Sequence, residues 1–300
     1  MDNNIKIGAF FMFISVTGFA LMDLAVKWTT DDYSVGYVMF WRMIGGLFPL
    51  MFTVPRDRWK SLFKTSKPGL HFIRAIAGII ALFCVYTSLH YLPLATVVSL
   101  TFASPICSTL LSIFVLGEIV GKRRWSAIIL GFIGVIVIVN PLSSQFNFYM
   151  ILPILFCIFF SIVAISIRKL SETEPTYLIA LNFSIYAILA SLFTIPFGGW
   201  YWWPNSLFDV AMLSLVGLSG GIGNLAMNQA YKNAEVSVIT PLKYLSLIYG
   251  IIFGFLIWNE IPAWNTYIGA FFIIVSSLII LWREKILKKK IVPENYVARR

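Results

Sequence analysis

The chain has 300 residues, of which 59% are hydrophobic and 12% charged, with 26 Phe, 10 Trp and 13 Tyr and a mean hydropathy of +0.85. So few charged side chains cannot furnish the polar shell of a soluble fold, and the apolar excess excludes intrinsic disorder, so the composition is that of a membrane protein. The net charge of +10 does not signal nucleic-acid binding, because the basic residues fall between apolar runs, where they set orientation, rather than along one face.

Apolar segments of bilayer-crossing length follow one another along the chain. The first five are residues 5–28, 33–54, 68–89, 95–116 and 125–139, the last extending through Asn140 and Pro141. The second five are residues 149–167, 177–196, 208–231, 236–258 and 264–282. The first is too long for a cleaved signal peptide and lacks a small-residue cleavage site, so it reads as a span. Helices are expected, since backbone groups in lipid must be satisfied within the segment and no alternating barrel pattern appears. Cys84, Cys107 and Cys157 lie inside apolar runs, without disulfide or metal-ligand spacing, and read as packing residues.

Charge placement tests the span count. With both termini cytoplasmic, the inner segments hold Lys6, six basic residues from Arg56 to Arg74, Lys122 to Arg124, Arg168 and Lys169, Lys232, and seven from Arg283 to Arg300. Those are twenty of the 23; only Lys27 falls outside, and Arg42 and Lys243 lie within spans. A miscounted helix would destroy this split.

A shift of 141 residues lays FALMDLAVK (residues 19–27) on FSIVAISIR (160–168) and ATVVSL (95–100) on VSVITP (236–241). One residue of slip pairs Glu118 with Glu260, each closing its span. Each half has five spans, an odd number, so the second half is inverted relative to the first, a signature of secondary transporters with a midplane site between halves.

The stretches ATVVSLTFASPICSTLLSIFVLGE (95–118), KRRW and GFIGVIVIVNP (within 122–141) and ITPLKYLSLIYGIIFGFLIWNE (239–260) resemble the drug/metabolite transporter superfamily, specifically ten-helix proteins of two EamA-type repeats. The resemblance covers about residues 5 to 283: a first repeat at 5–141, a second at 149–282 and a basic cytoplasmic tail at 283–300. The TPLKYLSL (240–247) and ATVVS stretches resemble bacterial S-adenosylmethionine uptake carriers, and riboflavin carriers share the plan. The resemblance implies an all-α integral membrane protein of the bacterial inner membrane, both termini cytoplasmic, with a cavity lined by helices 1, 3, 4, 6, 8 and 9. It leaves the substrate open among amino acids, nucleobases, S-adenosylmethionine and vitamins.

Ionisable groups within spans are costly and so point to function. Arg42, nine residues from Tyr33 and roughly 13 Å along its helix, presents a guanidinium fork suited to a carboxylate or phosphate, or pairs structurally with an acid. Lys243 follows Thr240 and Pro241, where proline permits a helix break, and is expected to bind an anionic substrate group together with Thr240 and Tyr244, or to act as a proton-sensitive gate, or to snorkel. Asn224 and Asn228 on the glycine-rich eighth span are expected to hydrogen-bond a polar substrate, and Tyr86 to stack on one. The glycines from Gly217 to Gly223 read as close helix packing; no strand precedes them and no Gly-Lys-Ser/Thr follows, as a phosphate loop requires. Asp23 and Lys27, spaced i,i+4, share a face and form a local ion pair, an outer gate or a coupling site. Glu118 and Glu260 close repeat-related helices, where the dipole disfavours an acid and a partner is expected.

The leading reading is a secondary transporter of a small polar metabolite by alternating access, such as S-adenosylmethionine or a similar zwitterion; a riboflavin, purine or amino-acid carrier or exporter is the alternative. Against a membrane-embedded lipid-modifying enzyme stands the lack of a concentrated catalytic group, with only His71 and His90 present. A lipid-linked sugar flippase is the third class. The expected partners are the small-molecule substrate, membrane lipids and a second copy in a homodimer. No nucleic acid, cofactor or metal is expected.

Overall fold

A computed structural model of the protein describes residues 2–55, 65–116, 122–141, 147–233 and 239–291, and the described residues are helical with short connections. The helices are α1 (Asp2–Thr29), α2 (Val35–Met51), α3 (Pro68–Tyr91), α4 (Leu94–Thr101), α5 (Ser104–Leu116) and α6 (Lys122–Val139). The second half has α7 (Ile151–Leu170), α8 (Thr176–Leu192), α9 (Leu207–Asn233), a 3₁₀ turn at Thr240–Tyr244, α10 (Leu245–Trp258) and α11 (Trp264–Ile291). Among the described residues, six helical segments are long and apolar enough to cross a bilayer and four shorter apolar helices accompany them. The last helix runs on through the first part of the basic tail, to Ile291.

Packing follows the inverted repeat. α1 lies against α9, and α7, which occupies the place of α1 in the second half, lies against α3, which occupies the place of α9. Repeat equivalents also pack on one another, α2 with α8, α6 with α11 and α4 with α10, while α2 packs as well on α9 and α5 on α7. Each half alone leaves apolar faces uncovered, and the other half covers them.

Glycine sets the closest approaches. A Cβ on Gly217 would stand 2.5 Å from the Gly45 Cα and 2.9 Å from the Trp41 carbonyl oxygen, so α2 and α9 touch backbone to backbone. On the other side of α9, a Cβ on Gly18 of α1 would meet the Ser219 carbonyl oxygen at 2.9 Å.

The fourth span differs from its expected continuous helix: it is broken at Phe102 and Ala103 between α4 and α5. Shifted by the repeat offset, this break falls on the 3₁₀ turn at Thr240–Tyr244, so both equivalents are discontinuous, a habit of transporters. The two breaks meet, with the Phe102 and Tyr244 rings 5.0 Å apart. Freed carbonyls of the first break are satisfied within the protein: Ser104 Oγ donates to Thr101, Ser277 Oγ to Phe102 and Cys157 Sγ to Leu100.

Candidate functional site

The face on which α1 begins and α11 ends is called the terminal face, and the opposite one the distal face. Three polar side chains from three helices converge in the distal half of the bundle. Asp23 lies six residues before the end of α1, Arg42 seven residues into α2 and Tyr86 five residues before the end of α3. The Arg42 guanidinium stands 5.9 Å from the Tyr86 ring, and its Nε would lie 3.7 Å from a Cβ on Gly220 of α9. That is ordinary van der Waals contact, so the guanidinium packs directly on α9 at Gly220. Asp23 lies within the electrostatic reach of Arg42 and Tyr86, yet the two opposite charges close no ion pair. Arg42 Nε and Tyr86 Oη are buried without a hydrogen-bond partner. Buried donors in that state are expensive, and a ligand with acceptor oxygens would relieve the cost.

Above this cluster, at the distal face, Lys27 pairs with Glu260 rather than with Asp23. Lys27 Nζ stands 2.8 Å from Glu260 Oε1 and donates to the Leu92 carbonyl at 2.7 Å and the Leu89 carbonyl at 3.3 Å. Glu260 Oε2 accepts from the Leu94 amide at 3.0 Å. The cation therefore neutralises the C-terminal end of α3 and the carboxylate meets the N-terminal end of α4, as both helix dipoles require. Asn259 makes this possible: with φ 53° it adopts the left-handed conformation that ends α10 and turns Glu260 back over Gly254.

The terminal face carries a second tie. Glu174, in the turn between α7 and α8, accepts from Thr65 Oγ1 at 2.6 Å, from the Ser66 amide at 2.9 Å and from Ser66 Oγ at 3.1 Å, and His71 Nε2 stands 2.5 Å from its other oxygen. Burial raises its pKa, and the hydrogen bonds from Thr65, His71 and Ser66 outweigh it, holding the carboxyl at about 2.

The other expected site residues lie apart from the cluster. Lys243 sits 5.4 Å from the Tyr231 ring, near the terminal end of α9. Tyr231 is eleven residues from Gly220, or about 16 Å along the helix, so Lys243 and Arg42 do not share one polar spot. The Tyr244 hydroxyl donates to the Ile274 carbonyl at 3.4 Å, and Thr240 lies in the 3₁₀ turn. Asn224 turns its amide onto its own helix, donating to the Gly220 carbonyl at 3.0 Å, and Asn228 is exposed. Glu118 lies outside the described residues. One buried cation escaped the sequence reading: Arg74, on α3, whose guanidinium lies 3.7 Å over the Phe183 ring. Its place six residues inside the expected third span was the available signal. Neither of two small cavities, one lined by Ala95, Leu247 and Phe271 and one by Thr96, Asn140 and Asn265, is lined by Asp23, Arg42, Arg74 or Lys243. Unsatisfied polar atoms, not open volume, mark the site.

Family comparison settles the class of the molecule: residues 6–140 and 147–282 each match the EamA-like transporter family. The chain belongs to the EamA-like transporter family. It is therefore a secondary transporter of small metabolites, built from two repeats in a multi-pass membrane fold. The EamA chain is 30% identical over 226 residues to the S-adenosylmethionine uptake transporter of Rickettsia bellii, covering 75% of this chain and 77% of the relative. The transporter of the same name from Rickettsia prowazekii is also 30% identical, with 75% and 76% covered. The pseudopaline exporter CntI of Pseudomonas aeruginosa is 24% identical over 280 residues, with 91% and 95% covered. A solved crystal structure superposes with a TM-score of 0.63 at 17% identity, covering 93% of this chain and 98% of its own, which shows the shared fold.

Proposed function

We propose that this EamA transporter carries S-adenosylmethionine or a similar zwitterionic metabolite across the bacterial cytoplasmic membrane, with the terminal face cytoplasmic. The observation that carries the reading is the half-buried Asp23 and Arg42 pair, held near each other without closing, with the Arg42 Nε buried and unpartnered. Opposite charges at fixed separation are complementary to a zwitterion: Arg42 receives the carboxylate, Asp23 faces the ammonium group, and the Tyr86 ring and hydroxyl flank them. The relatives named for S-adenosylmethionine uptake support the substrate, and the basic residues at the terminal face support the orientation. Alternating access then requires the tie at each face to open in turn, Lys27 with Glu260 on one side and Glu174 with its donors on the other.

The test is counterflow of labelled S-adenosylmethionine in proteoliposomes, alongside thermal stabilisation by a panel that includes riboflavin, purines and amino acids. Saturable exchange, a melting temperature that rises with the logarithm of S-adenosylmethionine concentration, and a KM raised at least about tenfold by Arg42→Gln are expected, since a charged hydrogen-bond partner is worth about 1.5–3 kcal/mol. Stabilisation by another panel member with none by S-adenosylmethionine overturns the substrate.

A further inference from the structure

Arg74 is a buried cation whose donors the protein leaves unused. It lies six residues into α3, about 9 Å from the helix's terminal end, and only 9% of its surface is exposed. Its Nε and Nη1 are buried with no hydrogen-bond partner. Phe183 covers one flat side of the guanidinium at 3.7 Å, which steadies the group but cannot accept its in-plane N–H bonds. The acid nearest in sequence register, Glu174 below His71, has both oxygens occupied by Thr65, Ser66 and His71. Arg74 and Arg42 lie within electrostatic reach of each other, so two guanidinium groups share the interior and Asp23 is the acid that faces Arg42. Two like charges with free donors attract an anion more strongly than either does alone.

We propose that Arg74 is a second anion-binding residue of the transport path, displaced from Arg42 toward the terminal face, which takes the substrate's carboxylate when that group leaves Arg42. This rests on the reading of the Asp23, Arg42 and Tyr86 cluster as the substrate site. It narrows the substrate class to metabolites that carry a carboxylate. Phe183 acts as the platform that keeps the Arg74 fork facing the passage, and Gly78 leaves space for that ring, since a Cβ there would meet it at 2.7 Å.

Two measurements on the full chain decide it. In nanodiscs, phenylglyoxal modification of Arg74, read by mass spectrometry, is expected to slow severalfold in sodium acetate relative to sodium chloride at equal ionic strength. An Arg74 that reacts equally in both salts, or not at all, overturns the proposal. In proteoliposomes of fixed orientation, Arg74→Gln is expected to raise the KM for S-adenosylmethionine about tenfold from the terminal-face side and far less from the distal side, Arg42→Gln to do the reverse, and Arg74→Lys to recover part of the loss. Equal effects from both sides, the mark of a merely structural residue, also overturn it. If the unaltered protein carries no S-adenosylmethionine, the substrate assignment fails while the acetate measurement, made on that same protein, still decides Arg74.

Discussion

Lys27 and Glu260, from opposite halves of the chain, close a 2.8 Å ion pair that ties the end of α1 to the turn after α10. Lys27 also holds two carbonyls at the end of α3, and Glu260 the first amide of α4, so the pair joins four helices. Lys27→Met strips Glu260 of its cation and leaves those carbonyls bare. Loss of one partner of a buried pair costs on the order of 3 kcal/mol. A clear drop in melting temperature and faster labelling of cysteines placed just below the distal face are expected. Unchanged melting together with unchanged labelling would contradict the role of the pair as a closure.

Gly217 and Gly220 lie one turn apart on α9 and predict opposite tolerances. An added methyl at Gly217 meets backbone on α2 at 2.5 Å, which cannot move without separating the helices. At Gly220 it meets the Met22 sulfur at 2.8 Å, the far end of a flexible side chain. Gly217→Ala should therefore cost about 1–3 kcal/mol, the usual penalty of overpacking, and Gly220→Ala much less. Melting of both variants in one detergent compares them directly, and equal losses would refute the backbone contact.

The spans and their inversion are legible in the chain because a bilayer demands about twenty apolar residues per crossing and leaves charges to the loops, a pattern local in sequence. The break in the ninth span was signalled by Pro241, whereas in the fourth the proline, Pro105, falls after the break, within the first turn of α5. Arg42 stood out as a lone charge amid apolar neighbours. Arg74 did not, because the Lys and Arg residues just before it gave it the look of a loop residue. The exchange of partners at Lys27 was illegible for a different reason. Asp23 is its neighbour by helical spacing, but Glu260 reaches it only because the two halves pack together and Asn259 reverses the chain.

Glu174 gives the terminal tie a defined pH dependence. Its folded pKa, about 2, lies below the ordinary value of 4.5, so the stability it confers is fully present above that ordinary value and is lost as pH falls through the folded one. Glu174→Gln keeps the shape but removes the charge. The melting gap between the protein and this variant should be full at pH 6 and should narrow as pH drops from about 4.5 toward 2. A gap that stays constant down to pH 3 would show that the ionised carboxylate is not what the Thr65, Ser66 and His71 donors recognise.

Lys243 and Arg42 are the cations that stand out within the expected spans, and their placement separates their effects. Arg42 has a buried, unpartnered Nε beside Tyr86, whereas Lys243 rests against Tyr231 about 16 Å along α9 from the level of Gly220. An amino-acid head group is too short to reach from Arg42 to Lys243, so one such group cannot touch both cations at once. Lys243→Met is therefore expected to leave the equilibrium affinity for S-adenosylmethionine within about threefold, against at least about tenfold weakening for Arg42→Gln, the difference being the loss of a charge-assisted hydrogen bond. Isothermal titration of the purified variants measures both. A Lys243→Met loss as large as that of Arg42→Gln would move the site toward the 3₁₀ turn at Thr240–Tyr244 and away from the three-helix cluster.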